Sequence, residues 1–210
     1  MIRIGIMVGA HGRGSNMQAI IDGCSDGRVD GEVVVVIGTR GDAPAIEKAV
    51  EQGIPTTIIN PKDYADSEAY GDALLDALKL YDVDLLCLAG YMRLLPSTVV
   101  HAYEGHIMNI HPALLPLFGG KGMYGEHVHQ AVIESGMKVS GCTVHFVDDR
   151  YDHGAIILQT SVMVEENDTP DTLAARVLPC EHKAYVEAVS LFAQGRLKLE
   201  GKRVKVVPKS

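Results

Sequence analysis

Residues 33–37, Val-Val-Val-Val-Ile, constrain the fold of this chain more than any other stretch. A run of consecutive β-branched residues suits a strand buried on both faces, and such strands occur in parallel sheets whose two sides are covered by helices. Around this run the first half of the chain alternates short apolar segments with helical periodicity. Strands are expected over 2–9, 32–38, 55–59 and 84–90, and helices over 16–23, 43–53 and 67–80. This βαβ rhythm predicts an α/β fold with a doubly wound, mostly parallel open sheet and helices on both faces.

The second half changes character. A strand ends at Asn109-Ile110-His111, a Pro/Gly-rich loop covers 112–125, and a helix lies near 126–135. Two β runs, Val139 to Val147 and Ala155 to Val164, bracket a turn at Asp152. A helix over 170–193 and a short strand at 203–207 close the chain. Length alone leaves two small domains open, but no repeat, low-complexity segment or linker divides the chain, so residues 1–210 are expected to form a single domain.

Charge and cysteine usage narrow the class. A net charge of −8 with scattered basic residues disfavours a nucleic-acid surface, so an anionic substrate must be met by local groups. Cys24, Cys87, Cys142 and Cys180 form no CxxC pair and are expected to be reduced structural thiols. Met1-Ile2-Arg3-Ile4 is already strand-like, without a basic-then-apolar leader, and no apolar run approaches a membrane span. The expectation is a cytoplasmic protein.

The chemistry concentrates in Met-Asn-Ile-His-Pro (108–112) and Asp-Arg-Tyr-Asp-His-Gly (149–154). On a strand, residues i and i+2 face the same way, so Asn109 and His111 project together, and Pro112 ends the strand. An amide donor, an imidazole and a carboxylate suit acyl transfer to an amine. Asn109 would donate to the oxyanion of a tetrahedral carbon, His111 would move protons, and Asp152 would favour the charged ring and orient it. The bland alternative stays open: Asn-x-His tying up backbone at a strand end, with Asp152 a turn residue.

Gly9-Ala10-His11-Gly12-Arg13-Gly14-Ser15-Asn16 follows the first strand and resembles a phosphate cradle, with Ser15-Asn16 supplying a helix N-cap; a ligand-free glycine turn is the competing reading. The segment lacks the Gly-Lys-Ser/Thr of a P-loop. Met17 and Gly38-Thr39-Arg40 disfavour NAD and leave NADP barely open. His106, His111, His127, His129, His145 and His153 crowd one region, yet no closed metal pattern accompanies His127-x-His129, so no metal is expected. Gly90-Tyr91-Met92-Arg93-Leu94-Leu95-Pro96 either lodges a flat apolar ligand or caps the core, with the core reading favoured by spacing. Glu181-His182 either meets an amine or faces solvent, with solvent the default.

Together these segments resemble the phosphoribosylglycinamide formyltransferases, also called glycinamide ribonucleotide transformylases. The motifs are 14–20 (Gly-Ser-Asn-Met-Gln-Ala-Ile), 89–93 (Ala-Gly-Tyr-Met-Arg), 109–116 (Asn-Ile-His-Pro-Ala-Leu-Leu-Pro), Gly125-x-His127-x-His129, 144–147 (Val-His-Phe-Val), and Asp152-x-Gly154 followed by Ile156-Ile157-x-Gln159. The resemblance implies formyl transfer from 10-formyltetrahydrofolate to the amine of glycinamide ribonucleotide. It implies phosphate on Gly14, Ser15 and Asn16, the amine near Glu181, and folate against Met92, Arg93, Leu94, Leu95, Asn109, Asp148 and Asp152. It also implies Asn109, His111 and Asp152 as the catalytic set, no metal, and a monomer or homodimer.

Three departures stand out: Ser67 where the family commonly has a folate-contacting Arg, the extra glycines in Phe118-Gly119-Gly120-Lys121-Gly122-Met123-Tyr124, and His153 where many members have Gly. The three-residue set alone does not name the acceptor, since formyltetrahydrofolate hydrolases and methionyl-tRNA formyltransferases share it. The hydrolase is the expected runner-up, and a non-catalytic folate- or nucleotide-binding module is the alternative from another class.

Overall fold

Five parallel strands carry the first half of the molecule, and they fall close to where the apolar runs place them. The structure, a computed structural model, describes residues 1–10 and 12–208. The strands are β1 (Ile2–Val8), β2 (Gly31–Gly38), β3 (Thr56–Ile58), β4 (Leu85–Ala89) and β5 (Ile107–His111). They are followed by β6 (Val139–Phe146), β7 (Ile156–Met163), β8 (Leu197–Glu200) and β9 (Arg203–Val206). All nine form one sheet in the order β3-β2-β1-β4-β5-β6-β7-β9-β8. The chain steps outward from β1 to β3 and then crosses to β4 on the other side, so the strand order reverses between β1 and β4. In open α/β sheets a crevice opens at such a switch, beyond the carboxyl ends of the strands. The β5–β6 and β6–β7 pairs are antiparallel, whereas β9 runs parallel to β7.

Helices cover both faces, as expected. One core packs Ile4, Ile6, Val8, Leu85 and Cys87 against α1 (Ser15–Ser25), α2 (Pro44–Glu51), α5 (Glu126–Glu134) and α6 (Pro170–Ala193). The other packs Met7, Val35, Ile37, Leu86 and Leu88 against α3 (Ser67–Leu80) and α4 (Ser97–Ala102). The alternation of sides along β1 and β4 is the period of 2 that strands impose. Helix α4 and strand β8 are absent from the sequence expectation. The first is a single short helix containing Thr98-Val99-Val100, which reads as strand, and the second is a four-residue edge segment. Ser67 opens α3 as an exposed residue, with Asp66 capping the helix by accepting the Ala69 N–H.

Across β5, β6 and β7 the two faces differ. Met108, Ile110, Cys142, Val144 and Phe146 join the apolar core on the α6 side. The alternating positions are polar: Asn109 stands opposite His145, His111 opposite Thr143, and Thr143 opposite Gln159. Loops lie over this face. Thr143 Oγ1 donates to the Ala113 carbonyl at 2.6 Å and accepts the Leu115 N–H at 3.0 Å, while Gln159 Nε2 donates to the Leu115 carbonyl at 2.9 Å. The polar face thereby fastens the 112–118 loop over the strands.

Helix α6 is pegged to the sheet. The buried Tyr185 hydroxyl donates to the Leu88 carbonyl at 3.0 Å and the Met108 carbonyl at 2.9 Å, at the junction of β4 and β5. The four cysteines are free, with Cys87 and Cys142 buried. Among the described residues no helix is long and apolar enough to cross a membrane.

Candidate active site

A cleft of 580 Å³ opens beyond β4 and β5, and it gathers residues from across the chain: Asn16, the 90–95 segment, Asn109, His111, Asp152 and Glu181. Asn109 and His111 share a face of β5 because they are two residues apart, and Pro112 follows the last strand residue, as expected. Asp152 comes from the turn between β6 and β7, which closes tightly. A Cβ on Gly154 would lie 1.8 Å from the Phe146 carbonyl oxygen, so only glycine fits there. Asp152 itself adopts a left-handed backbone (φ 52°), which is costly for a residue with a side chain.

The Asp152 carboxylate is the hub. Its Oδ1 lies 3.6 Å from His111 Nδ1, 3.7 Å from His145 Nε2 and 3.5 Å from Asn109 Nδ2. Its Oδ2 accepts the Gly120 N–H at 2.9 Å. Burial raises the affinity of this carboxyl for a proton, but the charged forms of His145 and His111, with the Gly120 N–H, more than offset it and hold Asp152 below the usual carboxylate value. Burial pushes the His111 imidazole below 6.5, with Asp152 and the Phe118 carbonyl opposing the shift. The neutral ring is therefore the resting form.

Carbonyl partners fix where the ring protons sit. His145 Nδ1 lies 2.8 Å from the Phe146 carbonyl and must donate to it. Its Nε2 then accepts from Asn109 Nδ2 at 3.1 Å. His111 Nε2 likewise donates to the Phe118 carbonyl at 2.8 Å, which leaves the Nδ1 lone pair on the Asp152 side. His145 stood in the sequence among the crowded histidines and within the 144–147 motif, without a role assigned to it. The signal that marks it is its place in β6, sharing a face with Thr143 in a strand that is otherwise apolar on the opposite side.

The ends of the cleft are chemically distinct. At one end Met92 (47% exposed) and Leu94 (41% exposed) present apolar surface, which corrects the reading that spacing favoured, of these residues as core caps; Leu95 is buried. The Leu94 N–H donates to the Tyr151 hydroxyl at 3.1 Å, tying this lip to the Asp152 turn. At the other end Asn16 Nδ2 donates to Glu181 Oε2 at 2.7 Å, and Asn16 Oδ1 is buried without a partner. Glu181 is only 8% exposed, overturning the solvent-facing default, and burial raises its carboxyl above the ordinary value.

Placement differs from expectation for the remaining residues. Ser15 and Asn16 do not cap α1: Gly14 is the N-cap, in left-handed conformation (φ 72°), and no side chain bonds the helix start. Asn16 is instead spent on Glu181, a partner 165 residues away that local sequence does not reveal. Gly14 and Ser15 sit beside the cleft and do not line it. Asp148 also stands off the cleft wall, accepting from His153 Nδ1 at 2.6 Å and from the Arg150 N–H at 2.9 Å. Arg93 lines the cleft and is exposed. His11 of the glycine-rich loop lies outside the described residues. His129 is a buried residue of the cleft wall with Nδ1 unpartnered, and among the described residues no group of three His, Cys, Asp or Glu is arranged to hold a metal ion.

The profile of the family described as "Formyl transferase" matches residues 4–189 of this chain. The chain belongs to that family. It is 47% identical over 188 residues to a chloroplastic phosphoribosylglycinamide formyltransferase of Arabidopsis thaliana and 43% identical over 187 residues to that of Vigna unguiculata. Each alignment covers 89% of this chain and 64% or 60% of the plant protein, so the chain spans somewhat under two thirds of these relatives' length. Among solved structures it resembles glycinamide ribonucleotide transformylase 1 from Symbiobacterium toebii, with a TM-score of 0.92 and 47% identity, covering 99% of this chain and 95% of that one. These likenesses agree with the α/β fold described above.

Proposed function

We propose that this formyl transferase family member moves the formyl group of 10-formyltetrahydrofolate to the amine of glycinamide ribonucleotide, a step of purine biosynthesis. The observation that carries the reading is the convergence of Asn109, His111 and Asp152 between an apolar lip and a polar end. A flat pterin fits the lip at Met92, Arg93, Leu94 and Leu95, with Asn109, Asp152 and the turn from Asp148 completing the folate side. The ribonucleotide fits the other end, with its phosphate toward Gly14, Ser15 and Asn16 and its amine toward Glu181. Free N–H groups at the start of α1 favour an anion there in spite of the net negative charge.

The chemistry follows from the resting proton positions. The neutral amine attacks the formyl carbon, a C–N bond forms, and the carbonyl electron pair moves onto oxygen. Asn109 Nδ2 donates to that oxyanion through the N–H whose other partner, Asp152, is 3.5 Å away. The ammonium proton of the adduct passes to His111 Nδ1, creating an imidazolium beside the Asp152 carboxylate, which stabilises it. The bond from carbon to the folate nitrogen then breaks as His111 returns the proton to that nitrogen. The amine has lost one proton, the folate has gained one, and no metal is required.

Residues 1–210 are proposed to act as one cytoplasmic domain, as a monomer or homodimer. The test follows deformylated folate by absorbance after mixing protein with 10-formyltetrahydrofolate, with and without glycinamide ribonucleotide, beside His111→Ala. Release that needs the ribonucleotide and is lost in the variant supports the transformylase. Release without it identifies a hydrolase, and no release with tight folate binding identifies a binding module.

A further inference from the structure

Among the described residues, three that are not glycine adopt left-handed backbone: Asp82, Phe118 and Asp152. Two of the three, Phe118 and Asp152, stand at the two nitrogens of His111. Such conformations are costly for residues with a side chain and persist only where surrounding contacts over-determine them. The contacts here are explicit. The Phe118 carbonyl accepts from His111 Nε2 at 2.8 Å, and two residues on, the Gly120 N–H donates to Asp152 Oδ2 at 2.9 Å. Between them Gly119 fills a gap with no room for a side chain, since a Cβ would lie 2.6 Å from Leu115 Cδ2 and 3.1 Å from Asp152 Cβ. Leu115 is buried and its backbone is held by Thr143 and Gln159, so the clasp is anchored from behind.

An imidazole has two nitrogens and, when neutral, one proton. Without a carbonyl at Nε2, the Asp152 carboxylate would draw that proton to Nδ1, the nitrogen it faces, and His111 would have no lone pair toward the reacting groups. A base of the wrong tautomer is inactive even when correctly placed.

We propose that the Phe118–Gly120 backbone is a positioning element of the catalytic pair: its carbonyl holds the His111 proton on Nε2, and its amide holds the Asp152 carboxylate against the opposite nitrogen. The element is main chain, so no functional side chain at 118 or 120 reports it, although Gly120 (φ 100°) adopts a backbone that favours glycine. Its sequence mark is the glycine at 119, with the Phe118 ring partly buried against the core beneath. The proposal rests on the formyl transfer reading for the role of His111, but the tautomer it assigns is a property of the free protein.

The experiment is ¹⁵N–¹H correlation of the imidazoles in the full chain at pH 8, where His111 is neutral, with His111→Gln to assign the signal. A protonated Nε2 and a bare Nδ1 are expected, and a protonated Nδ1 in the wild type overturns the proposal. The same spectra follow the Gly120 amide, which should move upfield in Asp152→Asn as its acceptor loses charge; an unmoved Gly120 amide overturns the second half.

Gly119→Ala then tests the consequence: kcat is expected to fall on the order of 10- to 100-fold with KM changed less than threefold, in line with misplacement of a reacting group, and His111 is expected to show mixed tautomers. A folded Gly119→Ala protein with mixed tautomers and wild-type kcat overturns the functional claim. Should that variant not fold, the wild-type tautomer and the Gly120 shift still decide the assignment. Wild-type protein with the expected tautomer but no formyl transfer would sink the proposed function and leave the positioning intact.

Discussion

The left and right halves of one sheet solve opposite problems. In the buried stretches of β1, β2 and β4 both faces are apolar and each is covered by helices, so these side chains serve packing. From β5 to β7 the α6 face is apolar, while the other, beyond Ile107 at the start of β5, carries Asn109, His111, Thr143, His145 and Gln159, with the 112–118 loop fastened over it. Helix cover excludes polar groups, whereas loop cover supplies backbone N–H and carbonyl partners that satisfy them. The chain gains a reactive surface by withdrawing helices from one face of three strands. The cost in stability is limited because the opposite face remains closed.

This contrast separates substitutions into those that affect turnover and those that affect stability. The largest effect is expected for Asp152→Asn, which leaves shape intact but removes the charge that stabilises the His111 imidazolium. A fall in kcat on the order of 10³-fold is expected, within what general acid–base groups supply, with the melting temperature little changed. Loss of that charge leaves only the Phe118 carbonyl opposing burial at His111, so the acid limb of the pH–kcat/KM profile should move lower. A limb that moves up would break the assignment of His111 as the titrating base.

In the left half, Leu85→Ala empties a fully buried site and is expected to cost about 2–5 kcal/mol in urea unfolding, with kcat within twofold of wild type in the folded protein. A comparable loss of turnover there would show that the halves are not separable.

Asn109→Ala should lower kcat roughly 100-fold, as for loss of one oxyanion donor, with a smaller change in folate KM. The smallest effect is expected at Glu181, and its sign is the informative part. Burial raises this carboxyl above 4.5, so the stability of the folded chain is greatest below that value and falls as pH rises through the folded-state value, because the unfolded chain ionises first. Glu181→Gln should therefore raise the melting temperature at pH 8 relative to pH 4 while increasing the ribonucleotide KM about tenfold, as a lost charged contact does.

Much of this architecture was legible in residues. The β-branched run placed β2, the alternation placed β1 through β4, and Asn-x-His-Pro placed two catalytic candidates at a strand end. What escaped depends on distant partners. Asn16 reads as a cap by its neighbours, yet the side chain is claimed by Glu181 on the last helix. Glu181 reads as solvent-facing on a helix whose burial is decided by the sheet. His145 was hidden among other histidines until β5 and β6 were paired. Helix α4 lacks enough turns for periodicity to declare it.

Tyr185 and Glu181 stand four residues apart on α6, about one turn or 6 Å along the axis. Because the Tyr185 hydroxyl is fastened to strand carbonyls, sliding the helix along the sheet would break both bonds, and the place of Glu181 relative to Asn16 and the start of α1 is set. Under the proposed function, acceptors would be sorted by their own span between anion and amine, with the helix as the gauge. Re-engineering this scaffold for a longer acceptor would have to begin at the tyrosine and not in the pocket.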